Sequence, residues 1–313
     1  MKLRKIQGNQ GGFALILSLL ILLLLVVIVL ETDFYTRTDL RAAGNFRDDL
    51  KAFYLARSAV SAAEAILKDD VKTSNRYDGL DELWAFPIPE YALGDGTLSG
   101  IIVDEEGKIN LNKLIQGKEG KVNQARRDQL RLLFELLDID PDRVDPVIDW
   151  IDPDSETVSS SGAEEGYYLG LDPAYSARNG PLATLAELHM VKGITDEIYR
   201  RIKPYVTIYG AGQININTAN SLVLQSLDRG IDDSEAGRLM RKRPFESPAR
   251  FKEHLLPDTK VRMTMAASIN WIKTRSNVFS LRAEGTVHDT KKIAHAIIQR
   301  KGTKTKLLYF RID

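Results

Sequence analysis

The 313-residue chain contains no cysteine and only four histidines. Without thiols, neither disulfides nor thiolate metal sites can brace it, which leaves packing and hard cations as the available staples in an oxidising compartment. Net charge is also missing: 43 basic residues cancel 43 acidic ones, so nothing pulls the whole chain toward nucleic acid or anionic lipid. No phosphate-binding loop, dinucleotide fingerprint or His-Glu-x-x-His motif occurs. A nucleophile would have to be Ser or Thr beside His, yet His189, His254, His288 and His295 read as surface or packing residues. The chain therefore reads as non-enzymatic.

What the sequence does have is a long apolar run. Lys2, Arg4 and Lys5 lie in a short polar leader that ends in Gly11-Gly12, and from residue 13 to 30 only Ser18 interrupts the apolar side chains. A run near the ~20 residues needed to cross a bilayer predicts a membrane helix with its basic end cytoplasmic. It is longer than the ~7–15 residues of a removable signal core, and Leu30 leads into Glu31-Thr32-Asp33 with no small-residue cleavage site. Gly12 instead offers a bare, extended backbone to a protease at the cytoplasmic face. Beyond the run, Leu40, Ala43, Phe46, Leu50, Phe53, Ala56, Val60, Ala63 and Leu67 follow in steps of three and four, one face of an amphipathic helix. The two stretches predict one rod over residues 13–70, about 80 Å from residue 13 to 67 at ~1.5 Å per residue. Its weak point, and a candidate bend, is Gly44-Asn45, which costs roughly 1 kcal/mol of propensity.

Residues 71–112 change style. A loop-rich crossing precedes a predicted hairpin, with residues 97–103 and 108–112 flanking the turn Asp104-Glu105-Glu106-Gly107. Strand alternation returns in residues 273–313, where Phe279, Leu281 and Ala283 alternate with Ser280, Arg282 and Glu284. Between them, residues 113–272 read as helical, an insertion into a sheet domain. Thr184-Leu185-Ala186-Glu187 is a capping box, and Ser247-Pro248 places a cap before a first-turn proline. Two stretches around Gly193-Ile194 and Gly230-Ile231 each read helix, glycine stop, buried isoleucine, acidic cap, helix. They look like helix-hairpin-helix modules, but Asp196, Glu197, Asp232, Asp233 and Glu235 crowd the turns that would have to grip phosphate beside Lys192 and Arg229.

The densest chemistry lies in Asp149-Trp150-Ile151-Asp152-Pro153-Asp154-Ser155-Glu156, continuing through Gly162-Ala163-Glu164-Glu165-Gly166-Tyr167-Tyr168 to Asn179-Gly180. Carboxylates without His or Cys select a hard cation, and an irregular loop suits calcium, with its ~6–8 oxygens, better than octahedral magnesium. The spacing is not an EF-hand, since Thr157 and Ala163 stand where its glycine and bidentate glutamate belong. Long loops inside a domain usually have a function, and Trp150, Tyr167 and Tyr168 are placed to pack this one down. The candidate ligands are Asp149, Asp152, Asp154, Glu164 and Glu165, with a solvated acidic loop as the alternative.

Gly12 followed by Phe13, after a basic leader and before an aliphatic helix, resembles the type IV prepilin and pseudopilin processing site. The resemblance implies cleavage after Gly12 by a prepilin peptidase and methylation of the new amino terminus at Phe13. Most such subunits carry glutamate as the fifth residue after the cut. Here it is Leu17, a departure that resembles one branch of the family, the minor pseudopilin K of type II secretion. The order of Asp104-Glu105-Glu106-Gly107-Lys108, Asp149-Trp150-Ile151-Asp152-Pro153-Asp154, Gly162-Ala163-Glu164 and Asn179-Gly180-Pro181 is similar to that family over nearly the full chain. It implies an α+β fold: a pilin-like N-terminal transmembrane helix packed on an antiparallel sheet, with a large inserted all-α domain that contains helix-hairpin-helix-like repeats and binds calcium. It also implies a place at the tip of a periplasmic pseudopilus, single-pass in the inner membrane with a short cytoplasmic N-terminus. The implied partners are the I and J minor pseudopilins and the major pseudopilin, and not nucleic acid. The competing expectation is a membrane-anchored helix-hairpin-helix protein that binds nucleic acid.

Overall fold

The computed structural model describes residues 10–73, 76–117, 120–265 and 268–313; the leader residues Lys2, Arg4 and Lys5 lie outside them. Its longest element is α1 (Gln10–Thr73), 64 residues or about 96 Å at ~1.5 Å per residue. No proline interrupts it, and the hydrogen-bonded ladder, once nucleated, adds residues at little cost. The ladder runs through Gly44 without a break and reaches back past Phe13, so Gly12 is helical here and not extended. The apolar stretch of α1 has a mean hydropathy of 3.6, none of it buried in the protein. It is long and apolar enough to cross a membrane.

The upper part of α1 lies on a five-stranded antiparallel sheet. In sequence order its strands are β1 (Ile88–Leu93), β2 (Gly96–Asp104), β3 (Val278–Val287), β4 (Thr290–Lys301) and β5 (Lys304–Ile312), and they are neighbours in that same order. The predicted alternation in β3 buries Phe279, Leu281 and Ala283 against α1 and Trp84. The helix presents Ala52, Leu55, Ala56, Ala59, Val60, Ala63 and Leu67, while Leu40, Phe46 and Leu50 are exposed. The apolar face predicted from spacing therefore packs only from about residue 52 onward. Small residues decide where the helix seats: a Cβ on Gly285 of β3 would stand 2.3 Å from the Ala52 carbonyl oxygen and 2.5 Å from the Ala56 nitrogen.

The predicted hairpin over residues 97–112 is corrected. The chain turns at Gly94-Asp95 so that β2 pairs with β1, which follows Pro87 directly and carries Pro89 as its second residue. Proline is tolerated there because β1 is an edge strand. Glu105–Gly107 forms a 3-10 turn, and Ile109–Asn110 leaves the sheet to pair in parallel with Val206-Thr207.

The insertion between β2 and β3 holds α2 (Gln124–Leu136), α3 (Asp145–Ile151), α4 (Glu165–Leu169), α5 (Asp196–Ile202), α6 (Ser221–Gln225), α7 (Asp233–Arg241), α8 (Pro248–His254) and α9 (Pro257–Met265). Its apolar core runs from Ile109 to Ile272, separate from the core between α1 and the sheet. Of the two glycine stops, Gly193 is left-handed at φ +77° and Thr195 caps α5. The second differs from expectation: Gly230 is not among the positive-φ glycines. It is packed instead against Thr259 and the Arg262 guanidinium, and Asp232 caps α7.

The two cores meet through polar groups. Asp104 Oδ2 accepts from Asn215 Nδ2, Thr218 Oγ and Ser276 Oγ, at 3.0, 2.6 and 2.6 Å. Glu106 Oε1 accepts from the Ala211 amide at 3.2 Å, and its Oε2 takes the Asn277 amide and Lys273 Nζ, both at 2.5 Å.

Candidate metal centre

Asp149 and Asp152 come from the end of α3. Asp152 precedes Pro153, which disfavours further helix, and its backbone is extended (φ −78°, ψ 160°). The loop that follows is drawn back onto the helix by Asp149, whose Oδ1 accepts from the Val158 amide (2.9 Å) and whose Oδ2 accepts from the Ala163 amide (2.6 Å). Gly162 permits this closure, since a Cβ there would sit 2.0 Å from Asp149 Oδ2. Ser159 adds a bond to Asp145 (2.7 Å), itself held by both arms of Arg127. The returning chain delivers Glu164 at the start of α4.

Asp149, Asp152 and Glu164 then each offer an oxygen within 4.8 Å of the others, all three buried. Asp152 Oδ1 and both oxygens of Glu164 have no hydrogen-bond donor. Burial, then the charges of Asp154, Glu164 and Asp149, pushes the Asp152 carboxyl up to about 8. Burial, then Asp149 and Asp154, pushes Glu164 up to about 7. Asp149 is also raised by burial, against the pull of its two amide donors. Orphaned buried carboxylate oxygens of this kind fit a hard cation, which supplies the missing positive charge.

Two of the five predicted ligands are not brought together with these three. Asp154 is exposed and accepts from the Glu156 amide in a local turn (2.8 Å). Glu165 spends Oε2 on the Ala177 amide (2.7 Å). Of the three predicted aromatics, Trp150 and Tyr168 pack together with Tyr175, centroids 5.0 to 6.2 Å apart, while Tyr167 is exposed and meets only the edge of Tyr168 in this cluster. Asn179, left-handed at φ 47°, bonds the Trp150 carbonyl through its amide, and its own Oδ1 is buried without a donor. Lys192, read in the sequence as a possible phosphate cation, donates to the Gly162 and Ser161 carbonyls (2.8 and 3.3 Å) and so braces the acidic loop. Arg229 pairs with Glu135 at 2.8 Å.

Models of the family described as type II secretion system (T2SS), protein K, match residues 107–211 and 214–269, so the candidate centre lies within the matched region. A type II secretion system protein K from Aeromonas hydrophila is 29% identical over 322 residues, covering 96% of each chain. A putative type II secretion system protein K from Escherichia coli K12 is 29% identical over 77% of each chain, and the protein from Klebsiella pneumoniae is 25% identical over 82% of each. The crystal structure of the GspK-GspI-GspJ complex from enterotoxigenic Escherichia coli contains a similar fold, with a TM-score of 0.74 at 24% identity, covering 88% of this chain and 99% of that one.

Proposed function

This chain belongs to the type II secretion system protein K family, the K-type minor pseudopilins, and from that premise we propose that it is a non-enzymatic subunit at the tip of the pseudopilus. The observation that carries the proposal is Leu17, an apolar side chain in the exposed lower part of α1 where related subunits place a glutamate. That carboxylate would meet the terminal amine of a neighbouring subunit, and an unpaired charge within the bilayer costs at least ~2.5–3.5 kcal/mol. A subunit that cannot supply the partner is suited to be first. The body between residues 109 and 272 supports the same place by sterics, since it would obstruct lateral stacking along a shaft but not at its end.

The I and J minor pseudopilins are its proposed partners beside the major pseudopilin, with the exposed Phe46 and Leu50, which share a face of α1 above the apolar span, as part of the contact surface. Prepilin peptidase cleaves after Gly12 and Phe13 is methylated, leaving one inner-membrane pass and a periplasmic body. Calcium is held by Asp149, Asp152 and Glu164, closing the loop between α3 and α4. His189 and His288 pair with Asp196 and Asp48. Labelling of assembled filaments tests the proposal: one copy at one end is the expected result, and regular decoration along the shaft overturns it. Leu17→Glu is expected to reduce filament initiation.

A further inference from the structure

A second group of carboxylates lies outside the inserted domain, where α1 ends and the chain turns toward the sheet. Asp70 in the last turns of α1, with Asp78 and Glu82 in the following loop, each offers an oxygen within 4.8 Å of the others. Arg300 of β4 reaches in from below, with Nη1 on Asp70 Oδ2 (2.7 Å) and Nη2 on Asp78 Oδ1. Arg300 is shared by two of the three carboxylates, and Asp78 Oδ2 also accepts from the Ser276 amide (2.6 Å), so negative charge remains in excess. Glu82 shows where it is not met. Its Oε2 is fixed by the Gly79 amide (2.9 Å) and Trp84 Nε1 (3.0 Å), while Oε1, in a residue only 8% exposed, has no donor.

We infer that Asp70, Asp78 and Glu82 form a site for one divalent cation, with calcium as the ligand, that ties the end of the shaft helix to the sheet domain. The donors are all oxygen and their arrangement is irregular, which suits calcium over the stricter octahedron of magnesium. One such ion balances the residual charge, and the C-terminus of a helix favours cations independently. A cavity of about 460 Å³ opens beside the site, with Asp69 and Asp81 on its wall, and gives a hydrated ion a path inward. The loop that the ion fixes is also the shelf on which the insertion rests. The Asp78 carbonyl accepts from Asn215 Nδ2 (3.0 Å), its amide bonds the Thr274 carbonyl (2.7 Å), and Arg76 pairs with Glu246 (2.9 Å).

Terbium reads this site, because Trp84 touches Glu82 and can sensitise a lanthanide bound at Oε1. The full chain in detergent carries Asp152→Asn and Glu164→Gln to silence the centre at α3; these neutral side chains imitate the protonated forms that burial already favours there. Excitation through tryptophan is expected to give saturable terbium emission that excess calcium displaces. Adding Glu82→Gln is expected to lower it at least tenfold, and Trp84→Phe to abolish the emission while calcium binding by calorimetry persists. Absence of saturable, calcium-displaceable emission in the silenced chain overturns the site even if the Glu82 variant does not fold, and emission unchanged in a folded Glu82→Gln chain overturns it equally.

Discussion

Asp152 and Glu164 have two ways to relieve their stranded oxygens, a proton or a cation, and pH separates the two. Their folded values of about 8 and about 7 lie above the ordinary carboxyl range of ~4. The metal-free folded chain therefore holds more protons than the unfolded one between about pH 4 and 8, and stability falls with rising pH over that window. The contribution is full below about pH 4 and is lost as pH climbs through 8. Calcium takes the place of those protons, so its binding strengthens with pH and stabilises by about 2.7 kcal/mol at 100 times Kd. Calorimetry with chelator is expected to show the melting temperature dropping from about pH 5 to about pH 8, and calcium is expected to flatten the slope. Asp152→Asn with Glu164→Gln should flatten it without metal and remove the share of the calcium response that belongs to this centre; an unaltered slope in that variant would exclude these residues. Gly162→Ala should cost about 1–3 kcal/mol by forcing its neighbours apart and weaken the calcium response, because the added Cβ collides with Asp149 Oδ2. Composition made the acidic stretch legible, but not which carboxylates converge. Asp152 and Asp154 read alike in sequence, and only the closure of residues 153–163 onto Asp149 turns one inward and leaves the other in solvent.

At the scale of elements, two glycines make opposite predictions. Gly285 sits where α1 crosses β3, and a Cβ there meets helix backbone that cannot swing aside. Gly285→Ala is expected to destabilise the sheet domain by about 1–3 kcal/mol. Gly44 has nothing within 4 Å of its missing Cβ, so Gly44→Ala in the isolated chain should stabilise by about 0.5–1 kcal/mol through helix propensity alone. Chemical denaturation of both variants checks the pair, and a stabilising Gly285→Ala would show that the helix does not seat this closely. The same crossing explains what spacing left hidden. Steps of three and four mark Leu40, Phe46 and Leu50 as readily as Ala56, Val60 and Ala63, yet only the second set lies over a sheet. Periodicity finds an apolar face; it does not say how far the surface beneath it extends. The strand β1 escaped the pattern because Pro87 and Pro89 read as loop, and its place at the sheet edge is a tertiary fact.

At the scale of the whole chain, the two apolar cores do not merge. The first takes its residues from between Ala52 and Ile102 and again from Phe279 to Ile298; the second lies between Ile109 and Ile272. In the sequence, strand alternation on either side of a helical middle points to such a division. What it did not make legible is how the two bodies are held, because the contacts join residues more than a hundred positions apart, as Asp104 joins Asn215 and Glu106 joins Ala211. The attachment between the two bodies is a buried polar network with Glu106 at its centre. Glu106→Ala would leave the Lys273 ammonium with no partner at 14% exposure and the Asn277 and Ala211 amides without acceptors. Breaking one side of a buried ion pair costs about 3–5 kcal/mol, and this cost falls on the coupling and not on either core. Calorimetry of the variant is therefore expected to resolve two unfolding transitions where the unaltered chain gives one, with hydrogen exchange accelerating first at residues 104–110 and 273–277. A single transition at the unaltered temperature would mean that the connecting strands alone hold the bodies together and that the network is incidental.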